Sequence, residues 1–260
     1  MNNKATMKII GIIPARYAST RFPGKPLALI GGISMIQRVY EQACKSKSLH
    51  AVVVATDNQQ IFDHVQTFGK ACMTATTHVS GTDRCYEVLT QQTEHYDYII
   101  NIQGDEPFIA PEQINLLASL LDNKTELATL VKKITEQKFL LNPNVVKAVL
   151  NQLGEALYFS RSPIPYWRGN ETEWTTQHAY YKHIGMYAYR ADVLEKITQL
   201  TVSSLEKAES LEQLRWLENG FRIKVVETTL ETIGIDTPDD LEKANEVLKT
   251  GKHFILNSGL

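Results

Sequence analysis

The sequence runs to 260 residues, 43% hydrophobic and 22% charged, with a formal net charge of −2, which suits one large α/β domain or one domain with a small appendage. This slightly acidic balance excludes a general nucleic-acid binder, which would carry a basic face. Three widely spaced cysteines (Cys44, Cys72, Cys85) read as reduced thiols, and no apolar run reaches bilayer length, so the expectation is a cytoplasmic protein without membrane insertion.

In chain order, an apolar strand over residues 9–13 enters a loop, Pro14 to Pro26, that Pro23 and Gly24 also punctuate; these residues predict no helix there. Met35, Ile36, Val39, Tyr40 and Ala43 recur at helical spacing, 51–55 reads as a second buried strand, and Ile61, Phe62, Val65 and Phe68 mark another helix face. A short strand at 71–74, a helix over about 83–91 and a buried strand at 98–102 follow, and then Pro111 opens a helix toward Leu121. Repeated β-α order, with strands apolar on both faces, predicts a mostly parallel sheet flanked by helices. The middle breaks that alternation. Strands are expected at 128–134, 145–150, 157–160 and 184–189, around a segment rich in Pro and aromatic residues, and the stretch 128–190 reads as an insertion for a dimer contact or a lid. Leu211, Leu214, Trp216 and Leu217 give a helix face, 223–226 a strand, and Thr237-Pro238 the cap and first residue of a last helix; the tail from Gly251 reads as fray. No flexible linker or repeat appears, so residues 1–260 are taken as a single domain.

Charged residues sit where open α/β sheets bind ligands, at the carboxyl ends of strands. Arg16, Arg21 and Lys25 in the first loop can face a polyphosphate, although the loop is neither a Walker A motif nor GxGxxG. Asp105, in Gly104-Asp105-Glu106-Pro107, reads either as an acidic turn or as a ligand for Mg²⁺, which takes oxygen donors together with phosphates. Asp236 is left unassigned once Thr237 fills the cap role, and with Asp105 it makes a metal-plus-polyphosphate constellation. Ser80 and Thr82 suit a helix cap, whereas Arg84 in the first helical turn is unfavourable for the dipole and asks for an anion or a base. Arg161 can grip a carboxylate in fork geometry; His183 is not picked out by spacing, and Glu212 and Gln213 read as the solvated side of a helix.

Taken together, the motifs resemble the CMP-Kdo synthetase family, the 3-deoxy-manno-octulosonate cytidylyltransferases of the nucleotidyltransferase superfamily. The resemblance rests on the run from Ile13 to Leu27, on Ser80-Gly81-Thr82-Asp83-Arg84, Gln103-Gly104-Asp105-Glu106-Pro107, Asn142 to Lys147, Leu157 to Arg161, His183 to Tyr187, Leu211 to Arg215 and Gly234 to Leu241, in family order across nearly the whole chain. Asp83 and Ala188 depart from the commoner Glu and Gly. The resemblance implies a Rossmann-like α/β fold with a β-rich dimerisation segment, a homodimer, Mg²⁺, and conversion of CTP and 3-deoxy-D-manno-octulosonate (Kdo) to CMP-Kdo and pyrophosphate for lipopolysaccharide biosynthesis. Position by position it implies nucleotide contacts from Ala15, Arg16, Arg21, Lys25, Ser80 and Arg84, and metal ligation by Asp105 and Asp236. Arg16, Lys25, Asp105 and Asp236 carry catalysis in this scheme. Sugar contacts fall to Gln103, Arg161, His183, Tyr187, Glu212 and Gln213. The competing readings are a sister cytidylyltransferase for an 8-amino-Kdo or sialic acid type of sugar, and a nucleotide-binding regulator without catalysis.

Overall fold

The structure, a computed structural model, describes residues 7–18, 21–171, 174–231 and 234–250. The tail expected to fray lies outside these residues. The described residues form two compact units, one comprising 8–18, 21–95, 101–114 and 234–250, the other 7, 96–100, 115–171 and 174–231.

In the first unit, strand Ile9–Ala15 is buried along almost its whole length. It pairs in parallel with Ala51–Thr56, which pairs in parallel with Ala71–Met73. Helices Met35–Cys44 and Gln59–Gln66 cross between them, and Gly81–Thr90 follows the last, each with its apolar face buried. Each starts on a side-chain cap: Ser34 accepts from the Gln37 N–H, Asn58 from the Ile61 N–H, and Ser80 forms a reciprocal box with Asp83. The first strand runs two residues further than expected, through Pro14, which lies in register with Ala55. On its other side Ile12 O accepts from Ile102 N at 2.9 Å. The following loop also departs from expectation by closing in a 3₁₀ turn, Lys25–Leu27. Gly24 enters it with φ +71°, a conformation that glycine adopts without a Cβ penalty, and Pro26 has the φ that a helical turn needs. The last helix, Pro238–Thr250, begins with Pro238 as its first residue.

In the second unit, strand Leu127–Ile134 pairs in parallel with Ile223–Glu227 and antiparallel with the long strand Tyr180–Arg190. That long strand also pairs with Lys147–Leu150, which pairs with Ala156–Ser160. It begins earlier than the apolar run that predicts it. Lys182 and His183 interrupt the apolar pattern, but both stay in the ladder opposite Lys132 and Val131. The register is irregular between Ile184 and Tyr187. Helices Ala191–Thr198 and Ser204–Glu209, which the periodicity left unmarked, follow it.

Candidate active site

Two residues distant in sequence meet in the first unit. Asp105 Oδ2 lies 2.8 Å from Lys25 Nζ and Asp236 Oδ1 lies 3.3 Å from the same nitrogen. The two carboxylate oxygens are therefore at most 6.1 Å apart (2.8 plus 3.3). Backbone geometry enforces the meeting. Ile235 N donates to Asp105 O at 2.9 Å, tying the two acidic segments together one residue before Asp236. Gly104 permits a close approach to the first strand, since a Cβ there would stand 2.7 Å from Pro14 O. Asp240 holds the turn after Asp236 by accepting from the N–H groups of Asp236 and Thr237, while Thr237 Oγ1 accepts from Asp240 N. Asp236 is thus outside the cap, as expected, and its carboxylate also meets Arg21 at 3.2 Å. Arg16 is exposed just past the end of the first strand, where Ala15 is buried.

The donor set suits magnesium. Among the described residues no group of three or more His, Cys, Asp or Glu side chains gathers to hold a metal unaided. A magnesium site needs less than that from the protein: one or two carboxylates, completed by waters and substrate phosphates. Asp105 and Asp236 already converge on a cation, the Lys25 ammonium, so their oxygens are placed around a positive charge.

A second cluster lies in the other unit. Arg161 Nε donates to Glu209 O at 2.7 Å, and its two terminal nitrogens donate to Pro143 O and Ser210 O at 3.2 and 3.3 Å. Glu209 in turn accepts from Ser160 Oγ and Arg161 N. Beneath them Lys147 is wholly buried, donating to Asn142 O at 3.0 Å and to Arg161 O; burial pushes its pKa down to about 8. The His183 ring packs edge-on against Phe159 and tilted against Tyr187, at 5.1 and 5.2 Å between centroids. Desolvation against these rings holds the imidazole neutral, with its pKa lowered to about 3, while the residue keeps part of its surface exposed. Burial, then the proximity of Tyr189 and Glu212, raises the Tyr187 hydroxyl well above the usual phenol range. Glu212 precedes helix Gln213–Glu218. That helix is anchored by a fork from Arg215 to Glu206, with contacts of 2.7 and 2.6 Å, which lowers the Glu206 pKa.

The cytidylyltransferase family model matches residues 10–250. The 3-deoxy-manno-octulosonate cytidylyltransferase of Parabacteroides distasonis is 60% identical over 92% of this chain and 97% of its own length. This chain belongs to the 3-deoxy-manno-octulosonate cytidylyltransferase family. The enzyme of the same name from Bacteroides thetaiotaomicron is 57% identical over 94% of this chain and 99% of its own. Among solved structures, CMP:2-keto-3-deoxy-manno-octonic acid synthetase complexed with CTP superposes with a TM-score of 0.87 at 44% identity, covering 94% of this chain and 100% of that one. The α/β fold expected from the alternation of strands and helices is therefore that of the family, a mixed sheet with mostly parallel strands flanked by helices. A 4-diphosphocytidyl-2C-methyl-D-erythritol synthase from Anaerococcus prevotii, with a TM-score of 0.61 at 15% identity, shares the fold alone.

Against this family frame, the structure brings Arg21, Lys25, Asp105 and Asp236 into direct contact and places Arg161, His183, Tyr187, Glu212 and Gln213 in the other unit. Gln103 belongs to the unit of Asp105 rather than with the other sugar candidates. Ser80 serves the helix cap, with Oγ accepting from Asp83 N at 3.1 Å. Arg84 finds the anion its position demands within the protein: it is 1% exposed and meets Asp57 at 2.9 Å. Gln213 contradicts the solvated-face reading, being only 6% exposed, because this part of the helix is covered all round, with Leu214, Arg215 and Trp216 buried beside it. Sequence reasoning missed Lys147 and Glu209, which hold the segment around Arg161. A lysine within an apolar run, or a glutamate in a polar helix, carries no local sign of its partners.

Proposed function

We infer that this chain transfers the cytidylyl group of CTP to Kdo, releasing pyrophosphate and giving CMP-Kdo for lipopolysaccharide assembly. The observation that carries the reading is the convergence of Asp105 and Asp236 on Lys25, beside the arginine-bearing loop that follows the first strand, in a chain so close to named Kdo cytidylyltransferases. In the reaction the 2-hydroxyl oxygen of Kdo attacks the α-phosphorus, the bond to the β-phosphate oxygen breaks, the hydroxyl proton is lost, and pyrophosphate carries away the charge. Arg16, Arg21 and Lys25 bind the triphosphate and offset the charge that grows on it. Ala15, Ser80 and Arg84 border the nucleotide, Ala15 and Ser80 through the backbone at a strand end and a helix start. Asp105 and Asp236 would hold magnesium, which when bound would supply Lewis-acid stabilisation of the phosphate charge and ease deprotonation of the hydroxyl.

Sugar recognition falls to Gln103, Arg161, His183, Tyr187, Glu212 and Gln213. Three backbone carbonyls occupy three of the five Arg161 N–H groups, leaving two for a sugar carboxylate. A neutral His183 binds by hydrogen bonding and adds no charge to the site. The segment 128–190 forms a homodimer contact in this proposal, supported by exposed Leu157 and Tyr166. The proposed setting is the cytoplasm. Three free thiols favour a reducing compartment, and no helix among the described residues is long and apolar enough to cross a membrane.

Pyrophosphate release with CTP and Mg²⁺ across a panel of acidic sugars tests the reading. Kdo is expected to turn over ahead of its 8-amino analogue and of sialic acid, and Asp105→Asn to lower turnover by roughly 10²-fold with the fold intact. No release with Kdo would refute the activity, and near-normal release by the variant would refute the metal assignment.

A further inference from the structure

Thr129 sits in strand Leu127–Ile134, with no exposed surface. Its hydroxyl faces the irregular part of strand Tyr180–Arg190 and meets three groups there: Met186 O at 2.8 Å, Ile184 O at 3.2 Å and His183 Nε2 at 3.0 Å. We propose that Thr129 is a positioning residue, whose hydroxyl fixes the proton of His183 on Nε2 and leaves Nδ1 as a bare acceptor for a hydroxyl of the sugar. The proposal rests on the assignment of His183 to sugar binding.

A threonine hydroxyl has one hydrogen, and a carbonyl oxygen can only accept. Were that hydrogen turned to His183, the Thr129 and Met186 oxygens would stand 2.8 Å apart with only lone pairs between them. The hydrogen therefore belongs to the Met186 carbonyl, the shorter of the two carbonyl contacts. Toward His183 the hydroxyl then offers a lone pair, so Nε2 must carry a hydrogen and donate it. Burial between Phe159 and Tyr187 keeps the imidazole neutral, and a neutral imidazole has one N–H. Nδ1 is consequently unprotonated, and among the described residues no side chain or backbone group hydrogen-bonds to it. An acceptor in this place selects a ligand that presents a hydroxyl hydrogen and repels one that presents a carboxylate or ether oxygen.

The test combines spectroscopy with kinetics. Long-range ¹H–¹⁵N correlation on the unliganded, histidine-labelled protein is expected to show His183 with a protonated Nε2 and an unprotonated Nδ1 at neutral pH. Thr129→Val keeps the shape and removes the hydroxyl; it should shift part of the His183 population to the other tautomer and raise the Kdo KM by about tenfold, the loss of roughly one well-placed hydrogen bond, with kcat within about twofold. Thr129→Ser should restore both. A protonated Nδ1 in the wild-type protein overturns the proposal, as does an unchanged Kdo KM in Thr129→Val. Should the valine variant not fold, the wild-type spectrum and the serine variant decide it. Failure of the cytidylyltransferase reading would appear separately, as no CTP-dependent pyrophosphate release with Kdo, and would leave the spectrum interpretable.

Discussion

Replacing Lys25 with methionine should move divalent-metal affinity and nucleotide affinity in opposite directions. In the unliganded protein the Lys25 ammonium bridges both acids of the proposed metal pair, at 2.8 Å from Asp105 and 3.3 Å from Asp236, and Arg21 meets Asp236 at 3.2 Å. A cation arriving alone must displace it. Asp236 is 45% exposed, so its pair with Lys25 is screened by solvent, and Asp105 is only partly covered. At about 0.2–1 kcal/mol for each pair of this kind, the two together are worth about 0.4–2 kcal/mol. Removing the ammonium should therefore tighten Mn²⁺ binding to the nucleotide-free protein by about 2- to 30-fold. The same change deletes a positive charge from the proposed triphosphate site, so CTP binding should weaken. Electron paramagnetic resonance reads free Mn²⁺ directly, and calorimetric titration reads CTP. Unchanged or weaker Mn²⁺ binding in Lys25→Met would mean that the acids it joins are not the metal pair, and the reasoning would fail at its root.

Gly104→Ala places a methyl 2.7 Å from Pro14 O, so the turn bearing Asp105 must shift; a stability loss of about 1–3 kcal/mol in urea melts and weaker Mn²⁺ binding in the presence of CTP are expected, and wild-type values for both would count against the close approach. Arg84→Met strands Asp57 next to an apolar side chain and should cost about 3 kcal/mol, much of it recovered by pairing the change with Asp57→Leu; if single and double variants are equally stable, the pair does not anchor the helix. Because His183 titrates near 3 when folded and near 6.5 when unfolded, the unfolded chain binds more protons between those values. Stability is thus fully present above about pH 6.5 and falls as the pH drops toward 3, with His183 accounting for about 2 kcal/mol between pH 7 and pH 5. His183→Gln should flatten that part of the urea-melt profile, and an equally steep variant would place the titration elsewhere.

Much of the architecture was legible because periodicity is a local property. The apolar run before Pro14, the helical spacing from Met35 to Ala43 and the cap at Thr237 each depend on residues a few positions apart. Asp105 was legible for a related reason, since it follows an apolar stretch; Asp236 was legible as the acid just outside a cap that Thr237 already fills, although it lies well past strand Ile223–Glu227 and not at its carboxyl end. The long strand Tyr180–Arg190 was legible only in its apolar half, because the cross-strand partners that hold Lys182 and His183 in the ladder come from elsewhere in the chain. The helix carrying Gln213 was legible as a helix, but the burial of its polar residues Gln213 and Arg215 was not, because the segments that cover them come from elsewhere in the chain.

By itself the chain's order of residues decided which segments would be strands and helices, where loops with cations and acids would fall, and which family pattern they spell. Folding alone decided that Lys25 would bridge two acids, that Arg84 would face Asp57, and that the hydroxyl of an inconspicuous Thr129 would point at an imidazole. The physical reason is range. Backbone propensity and hydrophobic alternation act over one or two turns, whereas charge pairing and hydrogen-bond direction depend on atoms that approach within about 3 Å only after the chain has closed on itself.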